Sequence, residues 1–270
     1  QLRSSNMLYD VLGTMARYFG SAMQQPEVLS IIVPPLMSHL ERFNTPDDPC
    51  AVPLLDCFVA LVRAAGPKLN SIAGTLASRA CVMLHAAIGG AQQHVEQTRS
   101  AATAPTFYEG YGFLVTGLEL VNALVVALGQ TFQALMAMCA EQGPVGGGVT
   151  PSSEFILSAM IACAELPEEI GFEEVDARFT SFALVGDMAS STPSLLYPIL
   201  APSATGEASH MVQMLVLSLN PTAHNVRCSC LLFISFACSS CSGLLIYSFV
   251  CSSFILFGGL RRCATRTAKW

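Results

Sequence analysis

Apolar residues recur three and four positions apart in one segment after another, while strand-like alternation is scarce. That spacing puts the apolar side chains on one face of a helix, so the chain reads as all-α. Helices are predicted near 5–19, 26–42, 52–65, 68–95, 110–128, 130–141, 154–165, 173–190 and 207–219. Breakers separate many of them: Gln25-Pro26, Thr45-Pro46-Asp47-Asp48-Pro49, Gly66-Pro67, Thr103-Ala104-Pro105 and Leu219-Asn220-Pro221. Each interrupts helical hydrogen bonding, leaving about two helices per forty to fifty residues. Pro34-Pro35 falls inside the second segment, where the missing amides predict a bend or a break into two pieces.

The segments are also related to one another. An offset of 46 lays Tyr9-Asp10-Val11-Leu12 through Ala16-Arg17-Tyr18-Phe19-Gly20 on Leu55-Asp56-Cys57-Phe58 through Val62-Arg63-Ala64-Ala65-Gly66. An acid, a base and a terminal glycine then coincide. A third copy, aligned on Gly129, places Glu119 with the two aspartates and replaces the arginine by Val126. A fourth helix carries Glu173-Glu174-Val175-Asp176-Ala177-Arg178 and then Phe182-Ala183-Leu184-Val185-Gly186-Asp187. Helix pairs of this kind cannot bury their apolar faces alone and must stack into a solenoid, an architecture that binds other proteins. The terminal glycines are expected to close their helices in the left-handed conformation. Gly143 to Ser153 and Gln97 to Thr103 interrupt the rhythm and read as flexible surface insertions.

Composition narrows the function classes. With 52 % hydrophobic and 12 % charged residues the chain can bury a sizeable core, and a net charge of −6 argues against nucleic acid as a partner, since phosphate binding needs a basic stripe. An acidic balance suits basic partners better. Cys50, Cys57, Cys81, Cys139 and Cys163 stand apart among mostly apolar neighbours, the usage expected of thiols in a reducing compartment. The start, from Gln1 to Asp10, lacks a signal-peptide pattern and reads as the inside of a longer protein.

Several of these stretches resemble the transportin, or karyopherin-β2, branch of the importin-β family. Leu8-Tyr9-Asp10-Val11-Leu12-Gly13-Thr14-Met15-Ala16 is similar to a transportin helix, and Pro26-Glu27, Val33-Pro34-Pro35-Leu36 and Pro53-Leu54-Leu55-Asp56-Cys57 resemble the repeat that follows it. Glu174-Val175-Asp176-Ala177-Arg178, Ser181 to Asp187 and Leu219-Asn220-Pro221 resemble later helices in the same order, so the likeness is collinear from about Ser5 to Val226. The resemblance implies a HEAT-repeat α-solenoid over 1–226. It implies a nuclear import receptor moving between cytoplasm and nucleus, whose C-terminal arch grips basic cargo signals ending in a proline-tyrosine motif.

In that family cargo lies along the wall made by each repeat's second helix, here 5–19, 52–65, 110–128 and 173–190. Asp10, Asp56, Glu119 and Asp187 are thereby expected on or near the wall as acids facing basic cargo, with Leu12 as an apolar contact. The full-length family also binds the GTPase Ran and nucleoporins. Two departures stand out: Arg17 occupies a position where the family has an acid, and the family's cargo-contacting tryptophan is missing, the only Trp being Trp270.

The segment 227–270 follows a different pattern. From Cys228 to Leu260 no charged residue occurs, and Phe, Ser, Cys and Leu make up 24 of the 33 positions. Such a run reads either as translated intron, since those residues share pyrimidine-rich codons, or as a membrane tail anchor followed by Arg261-Arg262. Its closely spaced cysteines lack the polar turns of a zinc site, and no metal or cofactor is expected.

No phosphate loop, nucleophile elbow or His-Glu-x-x-His helix occurs, and His39, His85, His94, His210 and His224 are scattered, so the sequence predicts no enzyme. A HEAT scaffold such as a phosphatase subunit and a tail-anchored membrane protein are the alternative functions to an import receptor.

Overall fold

The structure is a computed structural model, and it describes residues 2–42, 48–100, 107–167, 170, 177–201, 209 and 211–214. Among them the chain is all-α: α1 (Leu2–Tyr18), α2 (Gly20–Met23), α3 (Pro26–Leu40), α4 (Ala51–Ala65), α5 (Asn70–Ser100), α6 (Tyr111–Leu128), α7 (Thr131–Glu141), α8 (Ser153–Glu165), α9 (Ala177–Ser191) and α10 (Pro193–Leu200). The described residues form a HEAT-repeat α-solenoid. Its defining contacts skip along the chain: α1 packs on α4, α4 on α6 and α6 on α9, while α5 packs on α6 and α8 on α9. One layer therefore consists of α1, α4, α6 and α9 in sequence, and each adds its apolar face to its neighbours'.

This stacking explains the composition of the helices. Around α6, Tyr111, Phe113, Leu114, Leu118, Leu120, Val121, Leu124 and Val125 are all buried. A helix that is apolar over most of its circumference must be covered over most of it, and α4, α5 and α9 cover this one. By length and composition α6 could cross a membrane, yet that same apolar character is accounted for by its place in the core. Burying a Leu or Phe there contributes about 1.5–3 kcal/mol.

Backbone details bear the repeat out. Gly66 and Gly129, the ends of α4 and α6, have nearly identical dihedrals of φ 56°, ψ −133° and φ 53°, ψ −129°. Their amides donate to Val62 and Val125, each four residues earlier. The positive φ agrees with expectation, but ψ lies outside the left-handed helical region, in territory that glycine alone enters freely. Gly20 corrects the prediction, since it leads directly into α2. At Gly13 a close approach matters instead, because a Cβ there would sit 3.5 Å from the Cys57 Cα of α4.

Arginines close the outer helices. Arg79 of α5 donates to the Leu40 carbonyl at 2.8 Å, and Arg178 of α9 donates to the Ala164 carbonyl at 2.9 Å, so the unpaired last carbonyls of α3 and α8 gain donors from the next element. Four further predictions need correction. Pro34 and Pro35 do not divide α3, which runs as one helix through both. Residues 97–100 prolong α5 rather than opening a flexible insertion, and the Thr98 hydroxyl donates to the Val95 carbonyl within that last turn. The glycine stretch after α7 folds back on itself, the Val145 amide donating to Val149, which is buried. Finally, α10 was not anticipated; Pro198 inside it masked the helical pattern, while Pro193 suits its first turn. The candidate tail 227–270, Trp270 and the segment Leu219-Asn220-Pro221 lie outside the described residues.

Candidate functional site

The layer of α1, α4, α6 and α9 positions the predicted acids in succession. Arg17, in the last turn of α1, reaches Asp56 of α4, its Nη2 donating to Oδ2 at 2.5 Å. One step on, Arg63 in the last turn of α4 lies 3.8 Å from the Glu119 carboxylate of α6. Both pairs join the same two repeat positions, base to acid, so the pattern found at offset 46 is a physical ladder between successive helices. The side chains are about half exposed, 49 % and 43 % in the first pair and 53 % and 39 % in the second. Water screens such pairs, and each contributes at most about 1 kcal/mol. The hydrogen bond from Arg17 to Asp56 raises the arginine's already high pKa, keeping the first rung charged.

The third step differs because Val126 stands where the two preceding helices carry arginine. Here Asn122 of α6 donates from Nδ2 to Asp187 Oδ2 of α9 at 2.8 Å. A cavity of about 260 Å³ opens beside it, lined by Arg63, Asn122, Ala123, Val126, Ala127 and Asp187. The Asn122 amide oxygen is buried and has no hydrogen-bond partner. The Asp187 carboxylate thus borders an apolar floor of Ala123, Val126 and Ala127, and the nearby Arg63 has Glu119 as its counter-ion. A group that donates hydrogen bonds, carries a positive charge and has an aliphatic stem fits that lining.

Of the other predicted residues, Asp10 is exposed on α1, and Leu12 is partly buried and packs against the core. The adjacent Tyr9 is fully buried, and its hydroxyl shares a hydrogen bond of 2.6 Å with His39 Nδ1 of α3. Burial pushes the Tyr9 hydroxyl pKa up. Burial likewise pushes the thiols of Cys57, Cys81 and Cys163 up to about 12, so they remain protonated packing groups at neutral pH. Among the described residues no group of His, Cys, Asp and Glu could hold a metal ion.

The sequence singled out the acids but not their partners within the fold. Arg63 was visible as Arg17's counterpart, and the change from arginine to Val126 was visible as a break in the pattern. Nothing in the sequence singled out Asn122, because its role depends on α9 arriving beside α6.

No protein-family model matches the chain. Among curated proteins it is similar to transportin-1 of Oryza sativa subsp. japonica, 26 % identical over 200 residues, covering 74 % of this chain and 19 % of that protein. It is similar to transportin of Dictyostelium discoideum, 25 % identical over 191 residues, covering 70 % of the chain and 18 % of that protein. It is also similar to importin subunit beta-2 of Schizosaccharomyces pombe, 26 % identical over 189 residues, again covering 70 % and 18 %. The chain therefore resembles one part of a transportin-like protein and spans about a fifth of the length of these relatives.

Proposed function

We propose that this chain is a cargo-binding part of a nuclear import receptor, and that the layer of α1, α4, α6 and α9 forms the wall against which a basic, extended cargo signal lies. The observation that carries the reading is the cavity at the third step, where Asp187 borders a slot that no side chain of the ladder fills. A lysine or arginine of the cargo supplies the missing base, its stem lying on Val126 and Ala127. Asp56 and Glu119 are already neutralised by Arg17 and Arg63 and contribute less than Asp187, and Asp10 with Leu12 borders the same layer. Cargo signals ending in proline-tyrosine are the partner class. Ran and nucleoporins belong to the longer receptor, and its cycle between cytoplasm and nucleus follows from that role.

Fluorescence anisotropy with a labelled basic proline-tyrosine peptide tests the reading. Saturable binding is expected that weakens with added salt and disappears when the peptide's lysines and arginines are replaced by glutamine. Binding that ignores those replacements would instead favour a HEAT scaffold recognising its partners through other surfaces.

A further inference from the structure

The three steps of the layer differ in what supplies the base. Arg17 and Arg63 stand in the last turns of α1 and α4 and reach the acid of the next helix, Asp56 and Glu119. At the third step the matching position is Val126, and Asp187 of α9 takes its hydrogen bond from the neutral amide of Asn122, one turn earlier on α6. The members of both ion pairs are about half exposed, so a chain lying on the layer reaches them. A cargo base approaching Asp56 or Glu119 therefore meets an arginine already there. Displacing that arginine exchanges one screened ion pair for another and gains none. The two rungs are also graded: Arg17 is hydrogen-bonded to Asp56 at 2.5 Å, whereas Arg63 lies 3.8 Å from Glu119, beyond hydrogen-bonding range.

We propose that Arg17 and Arg63 are specificity-determining residues that stand in for cargo bases: each holds the place at its acid that a lysine or arginine of the cargo would otherwise take, so the layer admits one base, at Asp187. The inference rests on the reading of this layer as the cargo wall, and it names the signal that suits the wall, an extended peptide with a single isolated base rather than a series of them. Geometry sets the spacing that is refused. Packed helices lie about 8–10 Å apart and an extended chain advances about 3.3 Å per residue, so bases about three residues apart would meet successive steps. Such a series gains one ion pair at Asp187 and brings its other bases against the guanidinium groups of Arg63 and Arg17.

Calorimetric titration tests this with two otherwise neutral peptides, one carrying a single lysine and the other a series of lysines at that spacing. The natural chain is expected to bind the two within about threefold of each other, the advantage that a choice of registers confers. With Arg17→Val and Arg63→Val, which repeat the third step at the first two, the lysine series should tighten by at least about tenfold and the single-lysine peptide by about threefold at most. Adding Asp56→Asn and Glu119→Gln to that variant should cancel the gain. Arg42→Gln with Arg99→Gln, which removes exposed bases outside the layer, should not produce it. The proposal is overturned if the lysine series binds the valine variant no better than the natural chain, if the gain survives loss of the two acids, or if the charge control reproduces it. It is equally overturned if the natural chain already binds the series more than about tenfold tighter than the single-lysine peptide. Absence of binding of both peptides to the natural chain is a different failure, which overturns the cargo-wall reading itself and this inference with it.

Discussion

Helices α1 and α4 carry nearly the same pattern and sit in different environments. Both have an apolar run, an acid seven residues before an arginine, and that arginine in the last turn. In α4 ten residues are buried, including Leu54, Leu55, Cys57, Phe58 and Leu61, because α1 covers one side and α6 the other. From residue 5 on, the buried positions of α1 are Tyr9, Gly13 and Ala16, the face toward α4, while Leu8, Val11 and Met15 remain open. Periodicity thus tells which residues can face a neighbour, and it does not tell whether a neighbour is present. In a solenoid each helix contributes two faces, and the energy of an apolar residue depends on whether the second face is used.

Core truncation should break this comparison most sharply. Phe58→Ala in α4 is expected to cost about 3–5 kcal/mol, and Met15→Ala in α1 less than about 0.5 kcal/mol, measured by denaturant unfolding of the natural chain. Equal costs would mean that α1 is covered in solution. The buried thiols give a second contrast. Cys57, Cys81 and Cys163 have pKa values of about 12, against an ordinary 9.0. Raised acid groups favour the fold below the unfolded pKa and lose that contribution as pH climbs. Stability should therefore fall from about pH 9 toward pH 12, and these thiols should react with a thiol reagent at pH 8 only upon unfolding.

Smaller effects sharpen the ladder. Gly66→Ala and Gly129→Ala meet no neighbouring atom, so their cost is backbone strain alone, about 1–2 kcal/mol and alike at both sites. Gly89→Ala, in open space on α5 with ordinary helical geometry, should instead stabilise by up to about 1 kcal/mol. Double-mutant cycles on the two ion pairs come last. Arg17 with Asp56 should couple by up to about 1 kcal/mol, and Arg63 with Glu119, longer at 3.8 Å, by less, with both couplings fading in high salt.

Much of this fold was legible because helical periodicity and internal repetition are local signals. The offset from Asp10 to Asp56 anticipated that α1 and α4 are equivalent, and the loss of arginine at Val126 marked the step where the ladder changes. What stayed hidden depends on contacts between distant segments. Asp56 and Glu119 read as acids offered to a ligand, but the structure places Arg17 and Arg63 on them first. Asn122 gave no sign of its role, since the bond to Asp187 spans 65 residues. Helix α10 was missed for the opposite reason: its pattern is local, but Pro198 argued against a helix of only 8 residues.

The central claim is that a bound basic signal acts where the ladder lacks its arginine, and ranking two acid substitutions tests it most directly. The affinity of the full chain for a labelled basic proline-tyrosine peptide should fall about tenfold for Asp187→Asn and less than about twofold for Asp56→Asn, because Asp56 is already paired. Val126→Arg, which fills the slot from within, should weaken binding as much as Asp187→Asn while leaving the fold intact. Equal losses at Asp56 and Asp187, or undiminished binding by Val126→Arg, would contradict the account.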